Sequence, residues 1–514
     1  MLNPNRPIEK MSEKYIKKIL KAQVYDVAIE TPLDFMPNLS ARITNNAYLK
    51  REDLQPVFSF KLRGAYNKMA QLSEIERQQG VVTASAGNHA QGVALSAKRF
   101  AIKALIIMPK TTPEIKVFSV RGYGADVILH GNSYDEAYQH ALELAEQQKM
   151  TFIHPFDDPE VIAGQGTIAM EILRQMHGGM SAVFVPVGGG GLIAGVSAYI
   201  KHLHPEIKII GVEPDDAPCM YEALKAGKRV TLEQVGIFAD AVAVRQVGVE
   251  PFKVAKECVD EVILVSTDEI CAAIKDIFED TRSIAEPAGA LAVAGMKKYI
   301  ERETISNESF VVIDSGANMN FDRLRHVSER AELGEKNEAI IAVTIPEQPG
   351  SFQRFCRLLG QSSITEFNYR YSDSSSALVF VGVRLLHSSG KKEKLIAKLI
   401  TQGYKVTDLS DDELAKLHVR HMVGGRTPKI ENERVYRFEF PERPGALLNF
   451  LNKIGGRWNI SLFHYRNHGA AYGRVLLGIQ VNDSELAACQ ALMNELEYHY
   501  IDETDNEAYQ LFLA

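Results

Sequence analysis

The chain has 514 residues, 46% of them hydrophobic and 24% charged, enough for roughly two to four globular units. A formal charge of −7 argues against nucleic acid as the main partner. The five cysteines are scattered, an odd count without metal-ligand spacing, which favours reduced thiols in a cytoplasmic protein over a disulfide frame.

Residues 1–25 are polar and charged with no secretory apolar core, and no apolar run reaches the ~18 residues that cross a bilayer, so no membrane partner is expected. Residues 24–33 read as an opening strand and turn. A second extended piece ends in Lys50-Arg51-Glu52-Asp53, which has the look of a strand edge. Eight residues on, in Ser59-Phe60-Lys61-Leu62-Arg63-Gly64, a lysine follows an apolar residue among small ones. Phe58 and Phe60 could desolvate the Lys61 amine, which favours its neutral, nucleophilic form. A helix is expected over about 64–72. Strand 80–84 ends in Ser85-Ala86-Gly87-Asn88-His89, which opens another helix. Such a loop exposes free N–H groups and a partial positive charge, suited to a carboxylate or phosphate. The alternative is a plain Ser/Asn-capped helix start, and His89 reads as packing.

Residues 104–109 form a wholly apolar strand, 133–148 an amphipathic helix, 151–155 a short strand, and a helix is expected from Gly164 to about Met176. This alternation argues for a parallel α/β sheet. Strand 182–187 runs into Gly188-Gly189-Gly190-Gly191-Leu192, the strongest phosphate signal in the chain, since backbone without Cβ can wrap an oxyanion. Gly189, Gly191 and Ala194 also fit G-x-G-x-x-A, with Glu213 22 residues later, a dinucleotide fingerprint on paper. That rival sits mid-chain after several βα units and leaves Lys61 and Ser315 without a role, so a small cofactor's phosphate is the favoured reading. Glu213, Asp215 and Asp216 read as a solvated acidic loop. Ser266 caps a helix over about 269–280, Glu286-Pro287 opens another, and the buried strand 310–313 leads into Asp314-Ser315-Gly316-Ala317-Asn318. Ligands gather at such strand ends.

From about residue 331 the pattern changes. Strand 340–345 enters Pro346-Glu347-Gln348-Pro349-Gly350 and then a helix over 351–359; strand 435–440 enters Pro441-Glu442-Arg443-Pro444-Gly445 and a helix over 446–454, an offset of 95. Phe367-Asn368-Tyr369-Arg370 matches Phe463-His464-Tyr465-Arg466 at an offset of 96. This is an internal repeat of βαββαβ type, with 423–433 as the linker between copies.

The Lys61, Ser85–His89, tetraglycine and Ser315 motifs together resemble the pyridoxal-phosphate enzymes of the tryptophan-synthase β type, and within them the threonine dehydratases; the repeat resembles paired ACT-like regulatory domains. The resemblance implies a two-lobed α/β fold-type-II catalytic domain over 1–330, with a small lobe at about 55–155, and ACT-like α+β domains over 339–411 and 434–504. It implies pyridoxal 5′-phosphate bound covalently at Lys61, its 3′-oxygen at Asn88, its phosphate on Gly188, Gly189, Gly190, Gly191 and Leu192, its ring nitrogen at Ser315, and Glu286 near the ring. The substrate carboxylate would lie on Ser85, Ala86, Gly87, Asn88 and His89. The freed Lys61 amine would take the Cα proton of L-threonine, and loss of the β-hydroxyl would lead to 2-oxobutanoate and ammonia, with L-serine also a substrate. A neutral Ser315 suits elimination over transamination. Racemising relatives place a serine base where Ala86 stands, so a lyase without racemase activity is expected. Serine-racemase-like relatives hold a cation near Glu213, but the position of their aspartate ligand falls on Cys219, and no metal is assigned. Isoleucine as inhibitor, valine as activator, a homotetramer, and effector contacts at Tyr369, Arg370, Tyr465 and Arg466 complete what the resemblance implies.

Overall fold

A computed structural model describes residues 10–334, 338–346, 355, 358–359, 364–370, 376–385, 391–421, 432–441, 458–466, 472–496 and 498–513. The chain forms two compact units, Met1–Phe321 and Asp322–Ala514.

The first unit runs α1 (Met11–Leu20), β1 (Leu33–Phe35), α2 (Pro37–Ile43), β2 (Asn46–Arg51), α3 (Lys61–Ala70), α4 (Glu74–Gln79), β3 (Val81–Ala84), α5 (Asn88–Phe100), β4 (Ala104–Met108), α6 (Glu114–Gly122), β5 (Asp126–Leu129), α7 (Tyr134–Gln148) and β6 (Thr151–Phe152). It continues with α8 (Pro159–Gln175), β7 (Ala182–Pro186), α9 (Gly191–Leu203), β8 (Lys208–Pro214), α10 (Cys219–Ala226), α11 (Val249–Cys258), β9 (Glu261–Val265), α12 (Thr267–Thr281), α13 (Pro287–Glu303) and β10 (Ser309–Asp314). Two sheets result. The larger has the order β1-β2-β10-β7-β8-β9 and is parallel except at the β1–β2 edge; the smaller, β5-β4-β3-β6, is wholly parallel. Every residue of β3, β4 and β7 is buried, as helices on both faces of a parallel sheet require.

Several expectations shift. Residues 24–32 form no strand; Val24 and Ala28 instead pack with Val57 and Leu62 in a small satellite core. Helix α3 starts at Lys61 rather than Gly64, because the chain just before it is pinned to the β10 exit, where Ser59 bridges Gly316 and the Phe60 N–H reaches the Ser315 carbonyl at 3.3 Å. Helix α8 starts at Pro159, ahead of Gly164, since Asp158 accepts from the N–H groups of Glu160 and Val161 and proline suits the first turn. Lys50, Arg51, Glu52 and Asp53 are no strand edge: all four are buried. The Arg63 guanidinium lies between the carboxylates of Glu52 and Glu171, with Oε atoms at 2.6–2.9 Å, and Lys50 Nζ meets Glu171 Oε2 at 2.6 Å. Two cations and two anions thus neutralise one another out of water and tie β2, α3 and α8 together.

The second unit opens with α14 (Arg323–Gly334), followed by β11 (Glu338–Pro346), β12 (Ile364–Arg370), β13 (Ser376–Arg384), α15 (Lys391–Thr401), β14 (Lys405–Asp408) and α16 (Glu413–Leu417), then β15 (Glu433–Pro441), β16 (Asn459–Arg466), β17 (Tyr472–Gln480), α17 (Leu486–Glu495), β18 (His499–Asp502) and α18 (Glu507–Phe512). Two antiparallel sheets repeat one topology, β12-β13-β11-β14 and β16-β17-β15-β18. Even the register irregularities correspond, between Ile364 and Glu366 in one copy and between Ile460 and Leu462 in the other. Arg330 of α14 makes two contacts to the Glu413 carboxylate of α16, at 2.5 and 2.8 Å. The expected helix over 446–454 and the linker up to residue 431 lie outside the described residues, as does most of 351–359.

Candidate active site

Loops at the carboxyl ends of β3, β7 and β10 meet the start of α3 and the short crossing segment 153–156. Lys61 is the first residue of α3, and its Nζ donates to the Pro155 carbonyl at 3.3 Å. The Phe60 ring centroid lies 5.1 Å from the amine. Burial lowers the amine's pKa to about 8, with the nearby Glu286 carboxylate opposing the shift. Phe58 does not desolvate it, being 55% exposed. It contributes backbone instead, with a left-handed φ of 55° unusual for an aromatic residue, and its carbonyl accepts from Ala317 N–H at 2.9 Å.

Asn88 is buried at the first turn of α5. Its Nδ2 donates to Glu286 Oε1 at 2.6 Å, and its Oδ1 accepts from Asn318 Nδ2 at 2.7 Å. Asn318 also reaches the Val57 carbonyl at 2.8 Å, and Glu286 N–H donates to the Gly316 carbonyl at 3.0 Å. The β3 loop, the start of α13 and the β10 exit are therefore joined by one hydrogen-bonded path. No side chain caps α5, and a Cβ built on Gly87 would meet nothing within 4 Å, so open space faces N–H groups the helix cannot satisfy. Ser85 and Ala86 flank that space part-buried, with Ser85 Oγ accepting from Gly87 N–H at 3.2 Å. His89 is buried and packs as expected, with Nε2 on the Ile153 carbonyl at 2.9 Å; burial and Lys61 lower its pKa to about 3, so it is neutral and Nε2 carries the proton.

The tetraglycine loop joins β7 to α9. Gly190 is the helix's N-cap with φ 92°, a conformation that favours glycine, and no side chain caps the helix. A Cβ on Gly189 would lie 2.2 Å from the Phe156 ring. The cradle is thus backbone with uncapped N–H groups, which fits a phosphate. Pro155 and Phe156 connect it to the amine, one accepting from Lys61 and the next packing on the loop. Ser315 is buried where β10 ends, and its carbonyl accepts from Phe60 N–H.

Glu213 does not belong to a solvated cluster. It is buried at the end of β8, and burial raises its pKa to about 7; Asp215 and Asp216 alone are exposed. Its oxygens accept from the N–H groups of Met220 and Tyr221 at 2.8 Å each, so it is not placed to bind a ribose as the dinucleotide reading would need. Segment 153–156, Asn318 and the Glu213 cap had no sequence signal beyond a short strand, a loop asparagine and a charge. Tyr369, Arg370, Tyr465 and Arg466 lie in the second unit, the first pair on β12 opposite Val379 and Leu378, the second on β16 opposite Val475 and Arg474; their side chains lie outside the described residues.

Fold and site are those of a pyridoxal-phosphate-dependent enzyme, and the family profile with that description matches residues 24–316. A second profile, the C-terminal regulatory domain of threonine dehydratase, matches twice, over 329–419 and 424–513. The chain is 58% identical over 506 residues to L-threonine dehydratase biosynthetic IlvA of Burkholderia multivorans, covering 98% of this chain and 100% of that one. Among solved structures it resembles the processed form of threonine deaminase isoform 2 from Solanum lycopersicum (52% identity, TM-score 0.62, 64% of this chain and 96% of that one). It also resembles serine racemase from Dictyostelium discoideum (34% identity, TM-score 0.56, 61% and 99%). Within the pyridoxal-phosphate enzymes, the chain belongs to the biosynthetic threonine dehydratases that carry a C-terminal regulatory region. Among the described residues no helix is long and apolar enough to cross a membrane.

Proposed function

We propose that the chain converts L-threonine to 2-oxobutanoate and ammonia by β-elimination, acts also on L-serine, and is inhibited by isoleucine and relieved by valine through its C-terminal repeats. The observation that carries the catalytic part is the placement of the Lys61 amine at the start of α3, on the Pro155 carbonyl and beside the Phe60 ring where three strand-end loops meet; burial there lowers its pKa to about 8. Lys61 Nζ holds the cofactor and moves the substrate's Cα proton. Gly188, Gly189, Gly190, Gly191 and Leu192 bind the phosphate. Asn88, held by Glu286 and Asn318, presents its amide to the 3′-oxygen, and Ser315 faces the ring nitrogen. Ser85, Ala86, Gly87, Asn88 and His89 form the carboxylate site. Bound pyridoxal phosphate supplies the electron sink for the carbanion. Ala86 has no group that can give or take a proton, so a single base serves Cα.

The regulatory part rests on the repeated sheets of the second unit and on the relatives' regulatory domain. Tyr369, Arg370, Tyr465 and Arg466 are the proposed effector contacts, in a homotetramer of chains with a catalytic domain over 1–330 and regulatory domains over 339–411 and 434–504. A cytoplasmic setting accords with Cys219, Cys258, Cys271 and Cys489 being buried and outside any disulfide. The purified protein should be yellow and lose that colour and its turnover together on borohydride treatment. Lys61→Ala should lack both; a fully active Lys61→Ala enzyme would overturn the assignment.

A further inference from the structure

The start of α10 touches the glycine loop twice. Cys219, the first residue of the helix, is buried, and its single S–H is shared between two acceptors, the Gly188 carbonyl at 3.3 Å and Glu213 Oε1 at 3.4 Å. Met220 Cε stands 2.7 Å from where a Cβ on Gly190 would be. This helix start is itself fixed. Pro218 offers no side-chain cap, and the two Glu213 oxygens take the N–H groups of Met220 and Tyr221 instead. Strand β8, which carries Glu213, pairs in parallel with β7, which feeds the loop.

The consequence follows from peptide geometry. In a trans peptide the carbonyl of one residue and the N–H of the next point in opposite directions. Gly188's carbonyl is turned toward Cys219, so the Gly189 N–H points away from α10. The Gly189 carbonyl is likewise held, by Gly248 N–H at 3.0 Å, which sets the Gly190 N–H. Burial and the Glu213 carboxylate raise the thiol's pKa, so it stays protonated and can donate.

We propose that Cys219 is a positioning residue for the cofactor phosphate: its S–H holds the Gly188 carbonyl and so aims the Gly189 N–H into the phosphate cradle. The proposal rests on the reading of the tetraglycine loop as that cradle. The test compares pyridoxal phosphate with pyridoxal, which lacks the phosphate, binding to the full-length protein stripped of cofactor, and adds the ³¹P resonance of the reloaded enzyme. Cys219→Ala should weaken pyridoxal phosphate about tenfold, leave pyridoxal within about twofold and move the ³¹P resonance, whereas Cys219→Ser, which keeps a donor, should recover to within about threefold. An alanine variant that binds pyridoxal phosphate as the wild type does, or that weakens both compounds equally, would overturn the proposal. Should the alanine variant not fold, the serine variant decides: a preserved preference for the phosphorylated compound supports the proposal, and a preference reduced about tenfold overturns it. A wild-type protein that binds both compounds alike would instead sink the cradle reading beneath it.

Discussion

At the residue scale, the Lys61 amine is governed by two opposing environments. Burial disfavours its charge and brings the pKa to about 8, while Glu286 favours the charge. On the proposed role of Lys61 the neutral amine is the form that would capture the cofactor's aldehyde, so capture by the stripped enzyme should rise with pH through about 8, by about fivefold from pH 7 to pH 8, and level off above. Glu286→Gln removes the charge that raises the pKa and keeps an acceptor for Asn88, so its capture profile should move to lower pH. A stopped-flow profile with an unmoved midpoint would take Glu286 out of this balance. Ala86 bears on stereochemistry. With no second proton carrier there, L-serine should yield no D-serine, and measurable D-serine by chiral chromatography would contradict single-base proton transfer.

At the element scale, the placement of α3 depends on charges that the sequence shows only as a polar run. Arg63 stands two residues beyond Lys61 and is wholly buried between Glu52 and Glu171. Arg63→Ala would leave both carboxylates buried with only Lys50 to balance them, a loss of about 3–5 kcal/mol. The urea midpoint at which the bound cofactor's visible absorbance disappears should fall accordingly; an unchanged midpoint would show that the network is dispensable. The tetraglycine loop depends similarly on its neighbours. Its carbonyls are held by α10 and Gly248, so the direction of its N–H groups is a property of several elements and not of four glycines alone.

At the scale of the whole molecule, catalytic and regulatory tasks fall to separate compact units, and the boundary after Phe321 precedes α14 and both repeated sheets. The proposed feedback then requires the second unit. Isoleucine titrated against turnover should inhibit the full-length enzyme, and a chain ending at residue 330 should keep turnover while losing the response. Inhibition unchanged by that truncation would remove the regulatory role from the repeats.

Much of this was legible in the sequence, because each such feature is local. A β-branched run with a glycine or small-residue loop behind it specifies a buried strand and an uncapped helix start within one stretch of chain, and the near-constant offset of the repeats needs no coordinates. The loops at Ser85–His89, at the four glycines and at Asp314–Asn318 are legible in that way, while the roles proposed for Lys61 and Ser315 rest on the resemblance of the motifs taken together. What only the tertiary structure decided involves partners distant in sequence: Lys50 to Asp53 are interior charges and not an edge, Glu213 caps a helix, and Phe58 lends its carbonyl rather than its ring. The cost of burying a charge depends on which opposite charge or N–H group lies within about 3 Å, and that distance is set by packing, not by neighbours in the chain.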